Sequence, residues 1–434
     1  MKKIVKIIFL LFSVLQSPTS IFSQSQQLAL TNATIIDAIG RPPITNGVIL
    51  VEGNIIKAIG KIGEIEIPNG ARRINCSGKF LLPGLMDMHA HLLSSQGDYQ
   101  CDHVQKSSAQ KALDGLRHAQ ALLMAGWTTL RIPGDADVHY AHLAVRDAIN
   151  RGEFVGPRIV GAGHYLSITG GGGDYNDISP EQPVLADGLI VDGIDAMRKA
   201  VRTEIKFGSD WIKILATGAF MTAGDNPRDV HFSDDELRVC VEEAARLNRP
   251  VMAHAHAAEG IKRAVRAGVR SIEHGSFIDA EGIALMKKHG VYLAPTIYTF
   301  QYDLELGTAG GIREKTLELE RRYLGEIRAC IGAAIKAGVK ICLGTDLLPL
   351  PAELHAREFG ELVKLGMTSM EAIRAATVVP AEMLGWNERL GTLEVGKLAD
   401  IIAVAEDPLK NISALEKVVL VMKDGVVVKN EIGK

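Results

Sequence analysis

The segment DMHAHL, residues 87–92, sets two histidines one residue apart directly after the apolar run FLLPGLM. Side chains at i and i+2 of an extended segment point the same way. His89 and His91 therefore converge, with Asp87 expected on the same face. Two convergent imidazoles can hold a metal ion. An isolated HxH is as readily a polar pair at the rim of a sheet, so the reading depends on partners elsewhere. Four segments supply them. WIKILATG carries Lys213 on the same alternation as Trp211 and Leu215, PVMAHAH carries His254, SIEHGS carries His274, and KICLGTD ends at Asp346. A lysine inside an apolar strand is expected to have its pKa pulled towards neutrality by burial. A neutral amine can take up carbon dioxide, and the resulting carbamate is a bidentate anion able to bridge two metal ions. Together these residue types describe a metal site.

The elements that must position them follow from hydrophobic patterning. From about residue 80 the chain alternates short apolar strands (LLPGLMDMHA, WTTLRIP, RIVGAG, WIKILAT, PVMAHAH, SIEHGS, VYLAPTIY, KICLGTD) with amphipathic helical stretches such as SAQKALDGLRHAQALLMAG, DDELRVCVEEAARLN and AAEGIKRAVRAG. Eight strands, each followed by a helical connection, predict an α/β fold of (β/α)8 TIM-like barrel type. In such a barrel the chemistry gathers where the strands end, and five of the eight predicted strand ends carry a ligand-type or titratable group. No GxGxxG fingerprint follows a strand, which argues against a dinucleotide fold. The flanks are β-like and turn-rich: QLALTNATII, GVILVEGNIIKAIG and ARRINCSG on one side, ADIIAVA and VVLVMKDGVVV on the other. Neither flank can close a core alone, so both ends are expected to pair into one small β-sandwich. The predicted organisation is a signal peptide over 1–23, sandwich segments over 24–79 and 391–434, and the barrel over 80–390. Residues 170–183, GGGGDYNDISPEQP, read as a long loop after the third strand.

Composition narrows the function classes. Hydrophobic content of 47% and charged content of 23% over 434 residues suit a globular protein with a large core. A net charge of −3 offers no basic patch for nucleic acid. Lys2, Lys3 and Lys6 precede IIFLLFSVL, with small and polar residues after it. That order predicts export to the periplasm or beyond with cleavage near Ser23, and no stable membrane anchor. The five cysteines (Cys76, Cys101, Cys240, Cys330, Cys342) form no CxxC pair and are expected mostly as buried thiols.

DMHAHL, IKILATG, AHAH, IEHG and GTD, in that order at corresponding strand ends, together resemble the metal-dependent amidohydrolase superfamily. The run ATVVPAEMLGWNERLGTLEVGKLADIIAV resembles that family's return from barrel to sandwich, so the likeness covers nearly everything after the export segment. Within the superfamily the chain is most similar to the branch holding imidazolonepropionase-like proteins, Xaa-Pro dipeptidases and ochratoxin-cleaving amidases. The resemblance implies that His89 and His91 hold one metal, His254 and His274 a second, and a carbamylated Lys213 bridges them. It further implies that Asp346 binds the first metal and moves the reaction's proton. Histidine, carbamate and carboxylate ligands suit zinc best. The leaving amine is expected to carry a free carboxylate, for which Arg228, His231 and His164 are the candidate partners, with Phe220 and Met221 lining an apolar pocket. A homo-oligomer is expected. Two departures stand out: Gly172 where branch members often have a histidine, and Phe232 where they often have an aromatic hydroxyl. His256 is expected beside the ligands rather than among them, while His103, His118, His139, His142 and His355 have structural readings.

The expected function is hydrolysis of the amide bond of dipeptides or N-acyl amino acids. One alternative is a cyclic-amide hydrolase or deaminase of the imidazolonepropionase type, which generally works with one metal and lacks the strand-four lysine; Lys213 argues against it. The other is a non-catalytic exported binding protein, against which stands the complete ligand set.

Overall fold

A computed structural model describes residues 27–94 and 97–433, so the export segment expected at 1–23 lies outside the described residues. The chain has an α/β fold in which parallel strands alternate with helices. Leu85–Asp87, Trp127–Pro133 and Arg158–Ala162 form one parallel sheet. A second runs in the order Leu189–Ile190, Tyr165–Ser167, Ile212–Leu215, Val251–Ala255, Ser271–His274, Tyr292–Ala294, Lys340–Ile341. All eight strands expected from the apolar runs are present; Tyr165–Ser167 and Leu189–Ile190 are additional. Residues 170–183 hold neither helix nor strand.

Backbone hydrogen bonds tie the two sheets together at both margins. Trp211 N–H donates to the Gly161 carbonyl at 3.1 Å, and Met88 N–H to the Leu343 carbonyl at 2.9 Å. Asp346 N–H donates to the His89 carbonyl at 2.7 Å, which joins the last strand end to the first. Trp127–Pro133, Val251–Ala255 and Ser271–His274 are buried at every residue, which is why they read as continuous apolar runs rather than alternating ones. Local chemistry fixes the helices between them. Ser233 and Glu236 close a capping box at the start of Asp234–Arg246, and Gly268 ends Ala258–Ala267 at φ 101°.

The chain ends meet in one eight-stranded sheet. Phe80–Pro83 is its seam, pairing parallel with Gln27–Ile35 and antiparallel with Ile401–Val404. Leu28, Leu30, Ile49, Ile401, Leu420 and Met422 from both ends share one apolar cluster, as the insufficiency of either flank required. All five cysteines are free. No helix among the described residues is long and apolar enough to cross a membrane.

Candidate metal centre

His89, His91, Lys213, His254, His274 and Asp346 line a single cavity of about 170 Å³, together with His256. The register explains the convergence. Leu215 lies beside His254, His254 beside Glu273, and Ala255 beside His274, so neighbouring strands deliver their ligand-type residues at one level. His274 and Asp346 take left-handed backbone, at φ 70° and 54°. For residues with a Cβ this costs of order 1–3 kcal/mol each and is typical of functional sites. Gly344 permits the approach of the last strand end to the first, because a Cβ there would stand 2.8 Å from the His89 Cβ.

Asp346 is the hub of the first group. Its Oδ1 lies 3.1 Å from His91 Nε2 and 3.5 Å from His89 Nε2, and its Oδ2 lies 3.8 Å from His274 Nδ1. His89, His274 and Asp346 each offer a ligand atom, all within 4.8 Å of one another, and so do His254, His256 and His274. This donor set of imidazoles and one carboxylate fits a borderline divalent ion such as zinc. Burial lowers the pKa of His254 and His274 far below the ordinary imidazole value and takes His256 to about 3. These rings are therefore neutral, the form that binds metal. Burial also pulls Lys213 down to about 8, and among the described residues its amine has no hydrogen-bond or ion-pair partner.

Two buried carboxylates orient the first pair of histidines. His89 Nδ1 is 2.9 Å from Glu273 Oε2, whose two oxygens also accept from Arg131 Nη2 at 2.7 Å each. Burial pushes the Glu273 pKa up, but the Arg131 guanidinium and the His89 bond outweigh it and leave the carboxyl at about 2. Each member of that pair would be an uncompensated buried charge without the other. His91 Nδ1 is 3.4 Å from Asp135 Oδ1, while Asp135 Oδ2 accepts from the Leu92 and Leu93 amides at 2.8 and 3.2 Å. Such partners fix imidazole orientation and basicity at metal sites. Sequence reading missed Glu273, Arg131 and Asp135. Arg131 gave the same signal as Lys213, a charge inside the apolar run WTTLRIP.

Several expectations need correction. Asp87 does not face the cavity; it accepts from Thr345 Oγ1 at 2.6 Å and Thr345 N–H at 3.1 Å, and lies 3.1 Å from His355 Nδ1. It therefore fastens the GTD turn that carries Asp346. His355, which has a structural reading in the sequence, is fully buried in this clasp. His164 is held by Glu204 at 2.8 Å, Arg228 by Glu326 at 2.7 Å while stacking on Phe277, and His231 by Asp225 at 3.1 Å. None of the three lines the cavity. Phe220 and Met221 do line it. At Gly172 an added Cβ would meet Leu215 Cδ1 at 3.1 Å and Ala219 Cβ at 3.3 Å, so a side chain there would press on both neighbours. The Gly172 carbonyl instead accepts from Thr222 Oγ1 at 2.9 Å and the Tyr99 hydroxyl at 3.4 Å. Phe232 is buried in the core. His256, expected beside the ligands, is within the histidine cluster itself, its Nδ1 2.7 Å from Ser276 Oγ.

The amidohydrolase family model matches residues 80–428. The ochratoxinase of Aspergillus niger is 35% identical over 396 residues, covering 86% of this chain and 80% of its own length. An Xaa-Pro dipeptidase crystallised with methionine in its active site aligns with a TM-score of 0.86 at 33% identity, covering 93% of this chain and 100% of its own. A prolidase in complex with N-methylphosphonate-L-proline aligns with a TM-score of 0.86 at 30% identity, covering 93% and 100%.

Proposed function

Because the chain belongs to the amidohydrolase family and is a hydrolase of carbon–nitrogen amide bonds, we propose that it is a binuclear metal enzyme cleaving dipeptides or N-acyl amino acids. The observation that carries this reading is the convergence of buried neutral imidazoles, the buried Lys213 amine and Asp346 on one cavity. The fold under it is proposed to be a closed (β/α)8 barrel over 80–390, beside a β-sandwich from 24–79 and 391–434; the hydrogen bonds at both sheet margins support closure. We also propose that the chain works outside the cytoplasm, its residues 1–23 being an export signal.

His89 and His91 would hold one ion, His254 and His274 the other, and a carbamate on Lys213 would bridge them. When bound, the ions supply Lewis acidity, lowering the pKa of the attacking water and polarising the scissile carbonyl. Asp346 accepts the water's proton and returns it to the leaving nitrogen. Glu273 and Asp135 hold the imidazoles of His89 and His91 in place for this. Phe220, Met221 and Phe300 exclude water from the cavity and offer an apolar wall to a proline or aromatic side chain.

A substrate panel on the zinc-loaded protein tests the reading. L-Leucyl-L-proline and N-acyl-L-phenylalanine should be cleaved, whereas a cyclic imidazolone and an aminopurine should be left intact. Ring opening or ammonia release without linear amide cleavage would instead select the imidazolonepropionase-type alternative.

A further inference from the structure

Two carboxyls in the same cavity take no part in the reaction above. Asp303, on the helix Ile297–Leu306, and Glu320, on the helix Glu314–Lys336, both line it and are 7% and 1% exposed. Each stands one helical turn beyond an anchoring threonine, on the same helix face. Thr299 Oγ1 donates to the Asp346 carbonyl at 2.9 Å, and Thr316 Oγ1 donates to the Phe220 carbonyl at 3.1 Å. Asp303 is thereby held about 6 Å along its helix from the contact with Asp346, taking four residues at the usual rise. The two acids hydrogen-bond to one another. Neither forms an ion pair with a lysine or arginine among the described residues, and beyond the contact with Asp303 the buried Oε2 of Glu320 has no hydrogen-bond partner among them.

An acidic pair buried among Phe220, Phe300, Ile312 and Leu347 is costly unless something compensates it. Burial pushes both carboxyls up, Glu320 raised further by the neighbouring Asp303 and Asp303 by Asp346, so the pair holds a proton near neutrality. What remains is an acceptor facing a cavity with apolar groups around it, Asp303 standing one helical turn from the threonine that bonds the Asp346 carbonyl. Charge-assisted bonds to a cation are strongest in such surroundings. In a dipeptide the α-ammonium lies two bonds from the scissile carbonyl, a short reach from the histidines.

We propose that Asp303 and Glu320 form a subsite for an ammonium group on the acyl side of the substrate, which makes free dipeptides rather than N-acyl amino acids the preferred class. This rests on the amide-hydrolase reading. L-Leucyl-L-phenylalanine, its N-acetyl derivative, 4-methylpentanoyl-L-phenylalanine and 6-aminohexanoyl-L-phenylalanine form the test set. The free dipeptide should exceed the desamino compound in kcat/KM by about tenfold or more, the worth of a hydrogen bond to a charged group. In Glu320→Gln and Asp303→Asn that ratio should fall towards one, with metal content and melting temperature measured alongside. A gain seen only with 6-aminohexanoyl-L-phenylalanine, and lost in the variants, would reassign the subsite to a distal ammonium and overturn the dipeptide preference. Equal kcat/KM across the set, or a preference that survives in both variants, overturns the subsite itself. Calorimetric titration of the zinc-loaded enzyme with L-leucine and with 4-methylpentanoate separates the two claims. If no amide is cleaved the hydrolase reading falls, whereas the subsite stands or falls on whether the ammonium tightens binding and Glu320→Gln removes that gain.

Discussion

Asp346→Asn should lower kcat by about 10²–10⁴-fold, the usual worth of a positioned acid–base group, with a much smaller change in KM. Asparagine is nearly isosteric, and the backbone hydrogen bond from residue 346 to the His89 carbonyl at 2.7 Å remains available to it. The left-handed φ of 54° is also tolerated by asparagine. The variant therefore keeps its packing and loses only the anionic oxygens that face His89, His91 and His274. In the wild type, burial pushes the Asp346 pKa up, but the surrounding histidines and Lys213 hold it below the usual carboxylate range. The group is thus an anion ready to accept a proton at neutral pH. Near-normal kcat across the pH range, measured on protein of verified metal content, would exclude Asp346 as the proton carrier.

Lys213→Ala should lose bound metal and activity together, by about 100-fold or more, since even partners one step removed from a metal are worth 10–100-fold. The amine is buried in the same cavity with no hydrogen-bond partner among the described residues, and it is drawn to about 8, where a neutral form is accessible. Formate or acetate should restore part of the activity by occupying the space of the carbamate. Retention of two ions per chain and full turnover would show that Lys213 bridges nothing.

The residues that converge on the cavity were legible because their signal is local: an imidazole, amine or carboxylate at the end of an apolar run, repeated along the chain. What supports them is not local. Glu273 meets Arg131 across 142 positions, and Asp87 meets Thr345 and His355 across 258 and 268, so no spacing rule links them. Asp87 was misplaced because the alternation of a strand was extended past its end. The strand stops at Asp87, and the residues that follow turn under the hydrogen bond from His89 N–H to the Asp87 carboxylate. The loop candidates His164, Arg228 and His231 looked free in sequence, but Glu204, Glu326 and Asp225 claim them. Asp303 and Glu320 lie in two separate helices, and only the packing of those helices brings the carboxyls to one cavity.

The central claim, a two-metal centre that hydrolyses amides, is tested most directly by titrating metal-free protein with zinc while following both bound metal and dipeptide cleavage. Activity should rise to its maximum as the second equivalent binds, with two ions per chain retained after gel filtration. Full activity at one equivalent, or two bound equivalents without amide cleavage, would contradict it.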